Sequence, residues 1–203
     1  EDGTLGSLKP TDGSGDFTFS RGSDISATRV NADGYIEKGY ENLLLQSNSF
    51  DTTPWLSLEA SLTNGQLGYD GTNDAWLISD TSTTEQHRVL QNIPQSGITT
   101  LSVYAKAGTK GEMFLQCYIG DNIILYFDLI NGVTRNPTGP LISSGIESVG
   151  NGWYKCSVSH KSAVSYITIG ISENQQRSYT GDGTGTIYIQ DAMLNQGLVA
   201  YPY

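Results

Sequence analysis

The residues able to do acid–base or nucleophilic chemistry are few. His87, in TEQHRVLQ, and His160, in SVSHKS, stand far apart on strand-like segments, with no nucleophile elbow and no HxH or HExxH spacing. Both read as satisfied or solvent-facing histidines. The segments DGSG, DGTN and GDGTG read as turns rather than phosphate loops, because none joins a strand to a helix. Carboxylate pairs for glycoside cleavage are a matter of three-dimensional separation, which spacing in sequence does not set. No catalytic constellation stands out, and the expectation is a protein that binds rather than reacts.

Binding chemistry is easier to find. In LSVYAKA, alternation turns Leu101, Val103 and Ala105 to one face and Tyr104 and Lys106 to the other. In MFLQCYI, Met113, Leu115, Cys117 and Ile119 turn inward, leaving Phe114, Gln116 and Tyr118. In IILYFDLI, Ile123, Leu125, Phe127 and Leu129 turn inward, leaving Tyr126 and Asp128. Rings stack on the apolar face of a pyranose while amides and carboxylates bond its hydroxyls. The candidate carbohydrate-binding residues are therefore Trp76, Tyr104, Gln116, Tyr118, Tyr126 and Asp128. Trp55 and Trp153 are expected to be packed. Tyrosine is also a good strand residue, so packing beneath an arm or a sister subunit is the alternative for each ring.

The elements that would carry these side chains are short strands separated by Gly, Asn, Asp or Pro. AWLIS, HRVLQNI, TTLSVYAKA, EMFLQCYIG, NIILYFDLI, WYKCSVSH, SYITIGIS and GTIYIQDAML are the clearest. No helical period persists. The fold class is all-β: a jelly-roll β-sandwich of two antiparallel sheets with an N-terminal extended or hairpin arm. Residues 1–40 form the arm, with NADG as the turn of a hairpin, and residues 41–203 form the jelly roll.

Composition bounds the partners. Over 203 residues the net charge is −10, which argues against nucleic acid, since phosphate binding needs a cationic face. Apolar runs are far too short for a membrane span. The chain starts at Glu1 rather than Met and reads as mature, trimmed or partial. Cys117 and Cys156 each sit mid-strand on the side that alternation assigns to the core. Two buried free thiols are the default reading and a disulfide between neighbouring strands the alternative.

The order of segments resembles a module of tailed-bacteriophage structural proteins, in which a short lead hairpin precedes a carbohydrate-binding-module-like jelly roll. FTFSRGSDISATRVNADGYIE (17–37) matches the lead, and NLLLQSNSFDTTPW (42–55) matches the opening of the jelly roll. YDGTNDAWLISDTSTTEQHRVLQNI (69–93), LSVYAKAG (101–108), YFDLINGV (126–133), VGNGWYKCSVS (149–159) and YTGDGTGTIYIQDAMLNQGLVAYPY (179–203) continue it. The resemblance implies a virion component: a tail fibre, spike or capsid decoration that attaches to host-surface or environmental glycan. It implies other virion subunits as partners, a homo-oligomer with a trimer favoured, and an assembly role for Arg21 and Arg29. Two alternatives accompany it: purely structural decoration without sugar binding, or the binding module of a secreted, extracellular polysaccharide-degrading enzyme. Related sugar-binding jelly rolls commonly open with N-P-x-F-E and close with an I-D-D-like strand whose carboxylates hold a structural calcium. Here the opening is SNSFD and the close IQDAML, so Asp51 and Asp191 stand near those positions while Ala192 replaces the second closing aspartate. No cofactor is required; a structural calcium at Asp191 and Asp51 is what the resemblance would add.

Overall fold

A computed structural model describes residues 41–118, 122–201 and 203, together with the backbone of 28–30 and 36–38. The chain divides into two units, residues 1–39 and 40–203. In the first, β1 (Thr28–Val30) and β2 (Ile36–Lys38) pair antiparallel, Arg29 opposite Glu37. That is the hairpin the NADG turn signals. Arg21 and the side chain of Arg29 lie outside the described residues.

The second unit is a sandwich of two six-stranded antiparallel sheets. Its strands are β3 (Trp55–Leu58), β4 (Ala60–Gln66), β5 (Ala75–Asp80), β6 (Thr84–Gln86), β7 (Arg88–Gln95), β8 (Thr99–Ala107) and β9 (Glu112–Tyr118). They continue with β10 (Asn122–Asp128), β11 (Val133–Thr138), β12 (Leu141–Gly150), β13 (Trp153–His160), β14 (Val164–Ser172), β15 (Ser178–Thr180) and β16 (Thr186–Gln196). Sheet I runs β11-β10-β9-β14-β7-β3, sheet II runs β12-β13-β8-β16-β5-β4, and β15 and β6 form a small third ribbon. No helix occurs among the described residues.

The two inner faces meet through the residues alternation puts there: Val103 and Ala105 from β8, Met113, Leu115 and Cys117 from β9, and Ile123, Leu125 and Phe127 from β10. Ile167, Ile169 and Ile171 of β14 close the layer. Hydrophobic burial of this kind contributes about 25 cal/mol per Å² of apolar surface. Cys117 and Cys156 are buried free thiols in opposite sheets; burial pushes the Cys117 thiol up to about 12 and raises that of Cys156 as well.

The start of the jelly roll is laced to its last strand by amides. Asn42 donates Nδ2–H to Ala192 O (2.9 Å) and accepts from Leu194 N–H (3.1 Å), while Leu43 N–H bonds Leu194 O at 2.8 Å. β16 bulges between Gln190 and Met193, with Asp191 at φ 52°, and Asn48 Oδ1 accepts the Asp191 N–H (3.1 Å). The histidines are core histidines. His87 meets Glu59 O through Nδ1 (2.6 Å) and His160 meets the Thr99 hydroxyl through Nε2 (3.0 Å).

Candidate functional site

The outer face of sheet I is laid out by strand register. Along one end runs Asn122–Tyr118–Tyr166–Asn92, from β10 to β7. The next row is Ile124–Gln116–Thr168–Leu90–Leu56. Then come Arg135–Tyr126–Phe114–Gly170–Arg88–Leu58, and finally Asp128–Glu112–Ser172. With two residues per step, the four rows span roughly 20 Å along the strands.

Four of the six residues chosen from sequence, Gln116, Tyr118, Tyr126 and Asp128, therefore share this face. They are not equally open. Tyr118 is half-buried and stacks on Tyr166, ring centroids 4.6 Å apart at 13°, with exposed Asn92 and Asn122 on either side. Tyr126 is instead buried in a small cluster with Phe114 and Ile124. Gln116 is buried too, donating to Asn122 Oδ1 (2.8 Å) and accepting from Arg177 Nη1 (3.2 Å). Asp128 is committed locally, receiving the N–H groups of Ile130 and Asn131, the Asn131 amide and the Arg135 guanidinium (2.7 Å). Burial opposes its ionisation, but these donors together outweigh burial and hold the carboxyl well below the usual range.

The other two residues are elsewhere. Trp76 packs in the core against Phe50 and donates Nε1–H to Asn48 O (3.0 Å). It shares strand parity with Ile78, which faces inward, so an open position was the wrong expectation. Tyr104 lies on the outer face of sheet II, stacked on Tyr69 with centroids 3.7 Å apart and boxed by Trp153 and Tyr188. Lys155 tops that cluster, 5.9 Å from the Tyr104 ring centre, and donates to the carbonyls of Ala200 and Tyr201. Trp153 and Trp55 are packed, as expected.

The closing-strand aspartate sits beside that aromatic box. Asp191 is buried, takes the Tyr69 hydroxyl (3.1 Å), and is pushed up to about 6 by burial, with Asp74 and Asp70 adding to the rise. Gln190 donates to Asp70 (3.2 Å) and Asp74 (2.7 Å). Asp51 is exposed and accepts from its neighbour Thr52. Among the described residues, no three His, Cys, Asp or Glu side chains gather so as to hold a metal ion. Asn42 and Asn48 hydrogen-bond the opening segment to the closing strand.

Sequence reasoning passed over three members of the sheet I face. Tyr166 stands outside by the same alternation that turns Ile167 and Ile169 inward. Arg88 precedes inward Val89, and the half-buried Arg177 reaches in from the β14–β15 turn. Several polar atoms on this side have no hydrogen-bond partner although buried: Thr168 Oγ1, Ser172 Oγ, Arg88 Nε and Gln86 Oε1. Ser172 opens into a cavity of about 360 Å³ lined also by Lys110, Glu112, Asp128, Asn131 and Glu173. A second pocket of about 240 Å³ is lined by Leu58, Glu59, Glu85, Gln86 and Arg88.

No protein-family model matches the chain, and no curated protein matches it. Among solved structures, a family 61 carbohydrate-binding module in complex with β-1,4-galactotriose is 14% identical, covering 77% of this chain and 99% of that one at a TM-score of 0.44. A family 22 xylan-binding domain from Paenibacillus barcinonensis is 13% identical over 71% of this chain and 92% of that one, at 0.43. The enzymatically active domain of tailspike protein 4 from bacteriophage CBA120 is 15% identical over 76% of this chain but 21% of that one, at 0.43.

Proposed function

We propose that this chain binds glycan without cleaving it, and that the ligand docks at the Tyr118–Tyr166 end of sheet I. The observation that carries the reading is that stacked pair, half-buried beside Asn92 and Asn122. Parallel rings offer an apolar platform for a pyranose face, and the flanking amides supply donors and acceptors for its hydroxyls. The solved carbohydrate-binding modules of similar shape fit this reading. Such a site is weak alone and gains from multivalent display.

The setting we propose is a tailed-phage appendage, for which the support is the seven collinear segments from 17–37 to 179–203. There the chain would meet other virion subunits, form a trimer, and use Arg21 and Arg29 in assembly. The module of a secreted polysaccharide-degrading enzyme would use the same platform. Purely structural decoration is the other alternative; the burial of Phe114, Ile124 and Tyr126 leaves the middle of this face without an exposed ring for a sugar.

The test is a glycan array on the full chain, with and without calcium, alongside its mass by light scattering. Glycan binding that disappears in Tyr118→Ala and Tyr166→Ala supports the platform. A stable trimer that retains no glycan supports the structural reading, and binding untouched by both substitutions sinks the proposed location.

A further inference from the structure

The arginines of residues 41–203 are Arg88, Arg135 and Arg177. In a chain of net charge −10, all three are drawn to one face. Arg135 is opposite Tyr126 and Arg88 is opposite Gly170, both on the outer side of sheet I. Arg177 reaches the same side through Gln116. Arg135 is neutralised by Asp128. Among the described residues, neither Arg88 nor Arg177 meets a carboxylate at ion-pair distance.

Arg88 sits in a built pocket. Its Nε–H is buried without an acceptor, and Gln86 Oε1, in the same pocket, is buried without a donor. Leu58, an exposed apolar side chain, forms one wall. Glu59 is already engaged by the hydroxyls of Thr81 and Thr83, at 3.2 and 3.1 Å. Arg177 immediately precedes Ser178, whose register partner is Gln86, but its guanidinium bonds Gln116, outside the lining of this pocket.

An unpaired guanidinium, an orphaned donor, an orphaned acceptor and an apolar wall together describe a small ligand with an oxyanion, a hydroxyl and a C–H face. Guanidinium and carboxylate match as planar, bidentate partners. A sugar acid has all three features. Its carboxylate would bond Arg88, a ring hydroxyl would donate to Gln86 Oε1, and its C–H face would lie on Leu58. Glu59 and Glu85 line the same pocket; they disfavour a run of contiguous charges, so the acidic residue belongs in an otherwise neutral repeat.

We infer that the glycan is acidic, and that the pocket lined by Leu58, Glu59, Glu85, Gln86 and Arg88 takes a sugar residue whose carboxylate meets Arg88. This rests on the glycan-binding reading above and adds the ligand class.

The test is an array of uronic-acid-containing bacterial oligosaccharides, their carboxyl-reduced counterparts, sulfated galactans and neutral oligosaccharides, probed with the full chain. Affinities of the hits are then measured by calorimetry. The expected result is binding to uronic-acid ligands that is lost on carboxyl reduction and weakens with salt. Losing a hydrogen-bonded charge contact corresponds to about 10- to 100-fold in affinity, so Arg88→Gln should lower it by that factor and Arg177→Gln by less. Arg88→Lys should restore only part, because an ammonium lacks the planar fork. Circular dichroism and melting controls show that the variants fold, and the salt dependence of the unaltered chain needs no variant. Equal affinity for acidic and carboxyl-reduced forms, or hits confined to neutral or sulfated glycans, overturns this inference and leaves the glycan-binding reading standing. An array with no hits overturns both.

Discussion

Replacing Asp191 by Asn isolates a buried charge that the fold tolerates at a cost. Asp191 lies at the β16 bulge, buried beside Tyr69, and burial first, then the charges of Asp74 and Asp70, push its carboxyl up to about 6 from 3.8. At 1.36 kcal/mol per pH unit, a rise of this size makes the ionised folded form about 3 kcal/mol less favourable than the same charge in the unfolded chain. The sign follows from proton binding. Between pH 4 and 6 the folded state holds the proton and the unfolded state does not, so stability from this group falls as pH rises through that window. The folded-state penalty is complete above pH 6 and absent below about pH 4. Asn keeps the size, accepts the Tyr69 hydroxyl, and tolerates a φ of 52°. Asp191→Asn should therefore match the parent near pH 4 and exceed it by about 3 kcal/mol at pH 7–8, or roughly 6–12 °C in Tm. Urea titrations followed by the fluorescence of buried Trp55, Trp76 and Trp153 report it. Asp128, held well below the usual range, contributes the opposite slope, present above its unfolded value and lost on acidification. It does so in both proteins and cancels in the difference. A difference constant across pH 4–8, or an Asn variant less stable at pH 8, refutes the reasoning. Calcium or chelator should move neither protein; stabilisation of the parent alone by calcium would mean that Asp191 is a ligand after all.

Three further outcomes follow from the packing. Asp80, buried, accepts from the Tyr179 hydroxyl (3.0 Å) and from the amides of Gly183 and Gly185 (3.0 and 2.9 Å), so Asp80→Ala should cost roughly 3 kcal/mol or more and expose the 181–185 loop to protease. A Cβ at Gly170 would stand 2.4 Å from the Phe114 ring, so Gly170→Ala should cost roughly 1–3 kcal/mol in the same urea titration. Cys117 and Cys156, with thiols raised by burial, should resist a disulfide reagent at pH 8 until denaturant is added; rapid native labelling would contradict their burial.

The interior of each sheet was legible in the sequence and the margins were not. The eight strands recognised by alternation correspond to β5, β7, β8, β9, β10, β13, β14 and β16, which are the inner strands of the two sheets. β3, β4, β11 and β12, the edges, were missed, as was the β6–β15 ribbon. An edge strand is partnered on one side and largely solvated, as ASLTNGQ and LISSGIESVG are, so its alternation is faint. The site was legible in the same measure. Alternation placed Tyr118 on an outer face correctly, but an outer position does not fix exposure. Tyr104 and Trp153 are outer residues that Tyr69 and Tyr188, the former from a loop no pattern marks, convert into a small second core.

That conversion bears on which face of the sandwich is free to bind. Sheet II has closed its aromatic face: Tyr69 is stacked on Tyr104, and Lys155 is anchored to the carbonyls of Ala200 and Tyr201. Sheet I has not satisfied its own. Of the five buried side-chain atoms without a partner among the described residues, three belong to Arg88, Thr168 and Ser172 of sheet I, one to Gln86 on the β6–β15 ribbon, whose side chain shares a pocket with Arg88, and one to Asn195 on β16 of sheet II. Each such atom costs a fold about 1–3 kcal/mol, and gathering three on sheet I, with Gln86 beside Arg88, concentrates that cost where a polar ligand would relieve it. Tyr118 and Tyr166 lie on the same face and would supply the apolar half of the proposed recognition. The asymmetry between the sheets is thus energetic as well as compositional, and it supports placing the proposed binding on sheet I even though sheet II carries the larger cluster of rings.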